Sequence, residues 1–320
     1  MEKVAFLDFI DHQIAKIDQR MLSRSEGYNP DLGAALEHLL TSGGKRIRPA
    51  VVILTGTQLG ADEGPLVSLG ASIELLHTAT LVHDDLIDGS LLRRGIPTLN
   101  SNWSPEATVL TGDFIFAQAA EIASEIRSTE IMSLFAKTLS IIVNGEVRQL
   151  FSEQKVTNRE EYFRRIYEKT GSLFVLAAHA AALISSADDS QVEAAKKYGN
   201  ELGKAFQIVD DVLDFVGNEE RLGKPVGRDL YHGVLTLPTL YYMEQNPGDE
   251  DLRDLLDGKR DNQLVVQVVE NIRSSGTIER ALDDARVSAD RAVEALQVFP
   301  EGKEKETLKK LAQFVVDRDV

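Results

Sequence analysis

The chain has no cysteine, which excludes disulfides, thiolate metal sites and a thiol nucleophile. Aromatic residues are scarce at 6%, with a single tryptophan, and no stretch alternates polar and apolar residues as a half-buried strand would. Low-complexity tracts are absent too. No apolar run approaches the length of a membrane span. The opening MEKVAFLDFIDHQIAKID carries acids within an amphipathic pattern unlike a secretory signal, so cytoplasmic residence is expected. Basic charge is outweighed: 35 lysines and arginines stand against 51 acids, a net charge of −16, which argues against nucleic acid as a partner.

What is present suffices for a large core, with 320 residues, 43% hydrophobic and 27% charged. Apolar residues recur at helical spacing nearly throughout, so an all-α chain is expected, and the length allows one large domain or two. Helices are predicted from Val4 to about Ser25, from Pro30 to Leu40, from Pro49 to Leu59 and from Leu66 to Ile87. Further helices should run from Ala107, over 130–151, from Leu173 to Ile184 and from Glu193 to Val216. Trp103 and Pro105 read as loop, and Thr157 with Glu160 as a capping box. Lys169, Thr170 and Gly171 interrupt a helical pattern. Gly217 to Leu235 is the longest irregular stretch, a candidate lid. A short helix over 236–245, a charged linker over 247–261 and two or three amphipathic helices over 262–318 complete the reading.

The chemistry concentrates in ELLHTATLVHDDLIDGSLLRRGIP, residues 74 to 97. Residues four apart share a helix face, so Asp84 and Asp88 aim at one point while Asp85 lies about 100° around. Carboxylates gathered beside an apolar run repel one another and lose hydration, and a divalent cation resolves both costs. Oxygen-only ligands suit magnesium, whose shell is completed by water and substrate phosphates. The pattern occurs once more, as Asp210, Asp211 and Asp214, and two copies would arise by accident in roughly one such chain in a hundred. In so acidic a protein the basic clusters are informative. Lys45, Arg46 and Arg48 precede a helix start, and Arg93 adjoins Arg94. Both suit a specific anion, and the helix start suits a diphosphate.

Taken in order, GGKRIRP, HTATLVHDDLID, LLRRGIPT, TGDF, GEVRQL, EKTGSLF, KAFQIVDDVLDF and GKPVGRDL resemble the trans-prenyl diphosphate synthases, or polyprenyl synthetases, over almost the whole length. The resemblance implies a single all-α domain over 1–320 with the isoprenoid synthase fold, antiparallel helices around a central active-site cavity, and a homodimer. It implies head-to-tail condensation of isopentenyl diphosphate with an allylic prenyl diphosphate. Asp84, Asp88 and Asp210 would then bind magnesium, with Asp85, Asp211 and Asp214 supporting or holding waters. Lys45, Arg48, His77 and Arg94 resemble the isopentenyl diphosphate site, and Arg93, Lys169 and Lys224 the allylic diphosphate clamp. Thr170 and Gln207 would present oxygens to the carbocation. Gly89 and Arg148 depart from the usual pattern without touching a motif residue.

In this family short-chain members block the product tunnel with an aromatic five residues before the first aspartate. Here that position is Ala79, about 7.5 Å along the helix axis from the metal end. An open tunnel implies a product of geranylgeranyl length or longer, with a peripheral membrane contact for product release left open. Alternatives are a floor set by Leu76, Ile73, Phe114 or Phe116, a farnesyl-length product, and a class I terpene cyclase, whose second metal motif differs from Asp210 to Asn218. A metal phosphohydrolase built on His83 and Asp84 would need further histidine ligands. A noncatalytic partner subunit would typically lack one of the aspartate motifs.

Overall fold

The computed structural model describes residues 5–41, 43–93, 95–151, 158–216, 227–259 and 261–317. The chain is all-α. In order come α1 (Asp11–Leu22), α2 (Pro30–Thr41), α3 (Ile47–Gln58), α4 (Glu63–Ile87), a two-residue ribbon of β1 (Leu92–Arg93) and β2 (Ile96–Pro97), α5 (Leu99–Asn102) and α6 (Pro105–Glu125). Then follow α7 (Thr129–Phe151), α8 (Arg159–Ile166), a π-helical turn over Tyr167–Gly171, α9 (Ser172–Leu183) and α10 (Asp189–Val216). The remainder is α11 (Arg228–Tyr231), α12 (Leu237–Gln245), α13 (Glu250–Leu256), α14 (Asn262–Ser274), α15 (Thr277–Ala295) and α16 (Lys303–Asp317). Contacts gather these into two compact units. One comprises Met1–Leu139, Leu173–Gly199 and Ala295–Lys310, the other Ser140–Ser172, Asn200–Glu294 and Leu311–Val320.

The first unit is built on α3 and α4. Every residue from Ile47 to Gly56 is buried, so this part of α3 has no solvent face and its apolar run is continuous rather than periodic. Gly56 lets α4 come close, since a Cβ there would sit 2.1 Å from Leu66 Cδ2. By length and composition α4 could cross a membrane, contrary to the sequence expectation, yet most of its apolar window is buried within the protein. Leu69, Ile73, Leu75, Leu76 and Ala79 on α4, and Ile115, Ala119 and Ile122 on α6, are wholly buried. Truncating one such leucine to alanine costs about 2–5 kcal/mol. Before α3, Arg46 takes a left-handed φ of 47°. Its guanidinium meets Asp18 and Glu74 at 2.9 Å each and donates to the Leu40 carbonyl. Arg46 is therefore a buried strut joining three elements, which corrects its place in the anion-binding cluster.

In the second unit the C-terminal half of α10 buries Leu202, Ala205, Val209, Val212 and Phe215, and α12 packs with α8 and α14. Gly227, at φ 72°, lies against Val269, with the space for a Cβ filled by Cγ2 at 2.5 Å. Phe215 lends its carbonyl to Arg273 Nε at 2.7 Å, which ties α10 to α14.

Three local expectations are corrected. Pro105 opens α6 as its first residue behind the cap of Ser104, whose Oγ accepts from Ala107 N, so only Trp103 is outside a helix. The cap of α8 is Asn158, whose Oδ1 accepts from Glu161 N at 2.9 Å, one residue later than the expected box; Thr157 lies outside the described residues. Asparagine outranks threonine at that position. The charged linker contains α13, capped by Asp249, which accepts from Leu252 N at 2.7 Å. Seven residues are too few to show a helical period against so charged a background.

Candidate active site

The first aspartate triplet closes α4. Asp84 is half-buried in the last turn, and Asp88, the C-cap residue, is exposed and donates its N–H to the Asp84 carbonyl at 2.8 Å. A helix C-terminus carries partial negative charge, so two carboxylates there are doubly unfavourable without a cation. Asp85 faces the other way. It is 7% exposed, and both oxygens accept from Arg93, Nε at 2.8 and 3.0 Å and Nη2 at 2.8 Å. The Asp85 carbonyl holds Ser90 N and Asn100 Nδ2, so the turn after the motif is pinned from one residue. His83 lies against Gly112 and Phe116 and shares a hydrogen bond with the Val109 carbonyl at 3.2 Å. It belongs to the α4–α6 packing, which leaves the phosphohydrolase reading without its histidine.

The other expected anion-binding residues of this unit are placed individually. Lys45 is in the loop before α3, and Arg48 lies in the first turn of α3, its guanidinium 4.7 Å from the centre of the Phe174 ring. His77 is half-buried on α4. Arg94 lies outside the described residues, as does Lys224 of the other unit.

In the second unit, the interruption at 167–171 is a π-helical turn, a distortion that often marks functional sites. It packs tightly on α7, for a Cβ at Gly145 would be 2.8 Å from that of Glu168. Lys169 Nζ meets Glu146 Oε1 at 2.9 Å. Thr170 Oγ1 donates to Gln207 Oε1 at 2.6 Å, and Gln207 Nε2 donates to Asp211 Oδ1 at 2.7 Å. Tyr162 Oη donates to Asp211 Oδ2 at 2.8 Å. Asp211 is 4% exposed, and burial, then the charge of Asp229, raises its pKa to about 7 against the two hydrogen bonds. Asp214 accepts from Asp229 N at 3.1 Å, and burial followed by the Asp229 charge raises it too, to about 7. Asp229 is itself raised, chiefly by burial, against the opposing charges of Arg165, Arg228 and Lys169. Burial, then Asp211, pushes the Tyr162 hydroxyl well up.

This unit thus brings Thr170, Gln207 and Asp211 into one hydrogen-bonded chain, with Asp210, half-buried, beside them on α10. Sequence reading missed Tyr162, Glu146 and Asp229. Tyr162 stands seven residues, two helical turns, before Lys169, a spacing that could have flagged it. Asp229 lay in a quoted motif, GRDL, without a role.

For a cation, the donors are carboxylate oxygens without nitrogen or sulfur, which suits a hard divalent ion. Among the described residues no group of three or more His, Cys, Asp or Glu could hold a metal ion.

The family model for polyprenyl synthetase matches residues 29–272. This chain belongs to the polyprenyl synthetase family. It is 34% identical over 312 residues to an octaprenyl diphosphate synthase of Haemophilus influenzae, covering 97% of this chain and 95% of that protein. It superposes with a TM-score of 0.92, at 35% identity, on a Caulobacter crescentus polyprenyl synthase complexed with calcium and isoprenyl diphosphate, covering 98% and 97% of the two chains. A geranylgeranyl pyrophosphate synthetase of Pyrococcus horikoshii superposes with a TM-score of 0.89 at 32% identity, covering 98% and 99%. The isoprenoid synthase fold expected from the motifs is therefore the fold of this chain.

Proposed function

We propose that this polyprenyl synthetase condenses isopentenyl diphosphate head to tail with an allylic prenyl diphosphate, giving a trans-polyprenyl diphosphate of geranylgeranyl length or longer. The observation that carries the reading is that both aspartate triplets are complete, each at the C-terminal end of a long helix, in a chain aligned with its relatives nearly end to end. Magnesium is the cation proposed, held by Asp84, Asp88 and Asp210; when bound it supplies charge neutralisation for the departing diphosphate. Arg93, Lys169 and Lys224 hold the allylic diphosphate, and their fixed charges favour ionisation because negative charge grows on the leaving group. Lys45, Arg48, His77 and Arg94 hold isopentenyl diphosphate so that its double bond lies within reach of the cation. Thr170 and Gln207 turn oxygen lone pairs toward that cation. With no protein base assigned, the departing diphosphate takes the proton.

The working form proposed is a cytoplasmic homodimer of single-domain chains, to be checked by sedimentation and by fractionation. Incubation with isopentenyl diphosphate, an allylic starter and magnesium should elongate the starter, and absence of elongation would overturn the reading. Ala79 is wholly buried on α4. Dephosphorylated products should chromatograph at geranylgeranyl length or beyond, and Ala79→Tyr should shorten them. A farnesyl-length alcohol as sole product would refute the open column.

A further inference from the structure

Resting on the function just proposed, we infer that Tyr162 is a positioning residue: together with Asp211 it fixes the polarity of Gln207 and Thr170, and Asp211 serves as the anchor of that chain instead of as a metal ligand. The argument is one of donors and acceptors. Asp211 accepts at both of its oxygens, and a carboxyl group that accepts at both has no hydrogen of its own to give. Both Asp211 oxygens are engaged, Oδ2 by Tyr162 Oη at 2.8 Å and Oδ1 by Gln207 Nε2 at 2.7 Å. The Gln207 amide must therefore turn its nitrogen to Asp211 and its oxygen to Thr170, and it cannot flip without facing oxygen with oxygen. Thr170 spends its single hydrogen on that oxygen at 2.6 Å, so its remaining capacity is lone pairs alone. Every hydrogen in the chain runs toward Asp211, and what remains on Thr170 and Gln207 is lone pairs, the kind of group a cationic intermediate requires. Tyr162 is wholly buried, so no water replaces its hydroxyl, and without it one carboxylate oxygen would be stranded.

Tyr162→Phe deletes one oxygen and leaves the ring packing in place. Its kcat should fall roughly 10- to 100-fold, while KM for both substrates stays within about twofold of wild type. Calorimetric binding of inorganic pyrophosphate with magnesium should be unchanged in Tyr162→Phe and in Asp211→Asn, since neither side chain is assigned to the metal. The double variant should lose no more than the worse single one, as expected for members of one network. Unaltered kcat in Tyr162→Phe, additive losses in the double variant, or magnesium–pyrophosphate affinity falling in step with kcat would each overturn the inference. Should Tyr162→Phe fail to fold, Asp211→Asn alone carries the test through the same split between kcat and pyrophosphate binding. A wild-type chain that fails to elongate overturns the functional reading along with this inference; normal elongation beside an unaltered Tyr162→Phe overturns the inference alone.

Discussion

The two aspartate triplets are spelled alike and built differently. In the first, the middle aspartate turns into the protein and grips Arg93, while Asp88 stands exposed at the end of α4. In the second, the middle aspartate is gripped by neutral donors, Tyr162 and Gln207, and the last is drawn to the backbone N–H of Asp229 on α11. Repeating the letters thus does not repeat the environment. Asp85 is held by a charged partner, whereas burial and the charge of Asp229 raise the pKa of Asp211 against its neutral donors. The shared part is the leading aspartate of each triplet, half-buried in both.

The comparison breaks most sharply at those leading residues. Asp84→Ala and Asp210→Ala should each lower turnover by orders of magnitude, measured as elongation at a magnesium concentration that just suffices for the wild type. If both triplets feed the metal, raising magnesium should recover part of each loss. Near wild-type activity in either variant would contradict the assignment.

A smaller effect is expected at the middle residues, where the triplets diverge. Asp85→Asn removes the charge opposite Arg93 and loosens the arginine proposed to hold the allylic diphosphate. KM for the allylic substrate should rise by about tenfold with kcat less affected. Asp211→Asn should show the reverse split, a fall in kcat with KM nearly constant. Identical splits at the two positions would erase the distinction between them.

Stability around the second triplet should depend on pH. The folded-state pKa of Asp211 and of Asp214 is about 7, above the ordinary 3.8, so the folded chain holds these protons more tightly than the unfolded one. Their contribution is fully present below about pH 3.8 and is lost as pH rises through about 7. In chelator-treated protein the melting temperature should therefore include a decline over that window, which Asp211→Asn flattens. An unchanged slope in Asp211→Asn would remove Asp211 as its source.

Much of this was legible in the sequence because it is written in periodicity and spacing. The apolar faces of α4, α6 and α10, the break at Lys169 to Gly171 and both triplets follow from side-chain positions along a helix. The partners of the triplets did not, because contacts between segments distant in sequence leave no local period. Tyr162 reaches Asp211 across 49 residues, and Arg46 reaches Glu74 across 28. Arg46 was read with its basic neighbours as part of an anion site. Only its left-handed backbone and the acids around it reveal a strut. Helix α13 was hidden for the opposite reason, too short and too charged to show a period.

The smallest effect concerns the platform beneath the second triplet. Helix α8, which carries Tyr162, starts at the Asn158 cap, where Oδ1 satisfies the Glu161 N–H at 2.9 Å. Asn158→Ala strands that donor at the helix start and should cost about 1 kcal/mol, read as a lower urea midpoint at unchanged slope. Because the cap lies one turn from Tyr162 and the hydroxyl's own partners are untouched, kcat should remain near wild type. Set beside Tyr162→Phe, the variant separates two ways of disturbing one helix: weakening the element that carries the tyrosine, and removing the single bond by which that element orients Asp211. A kcat loss in Asn158→Ala comparable to that of Tyr162→Phe would mean that the second triplet depends on the rigidity of α8 as a whole, and the contrast with Asp85, held by one ion pair, would have to be redrawn on that basis.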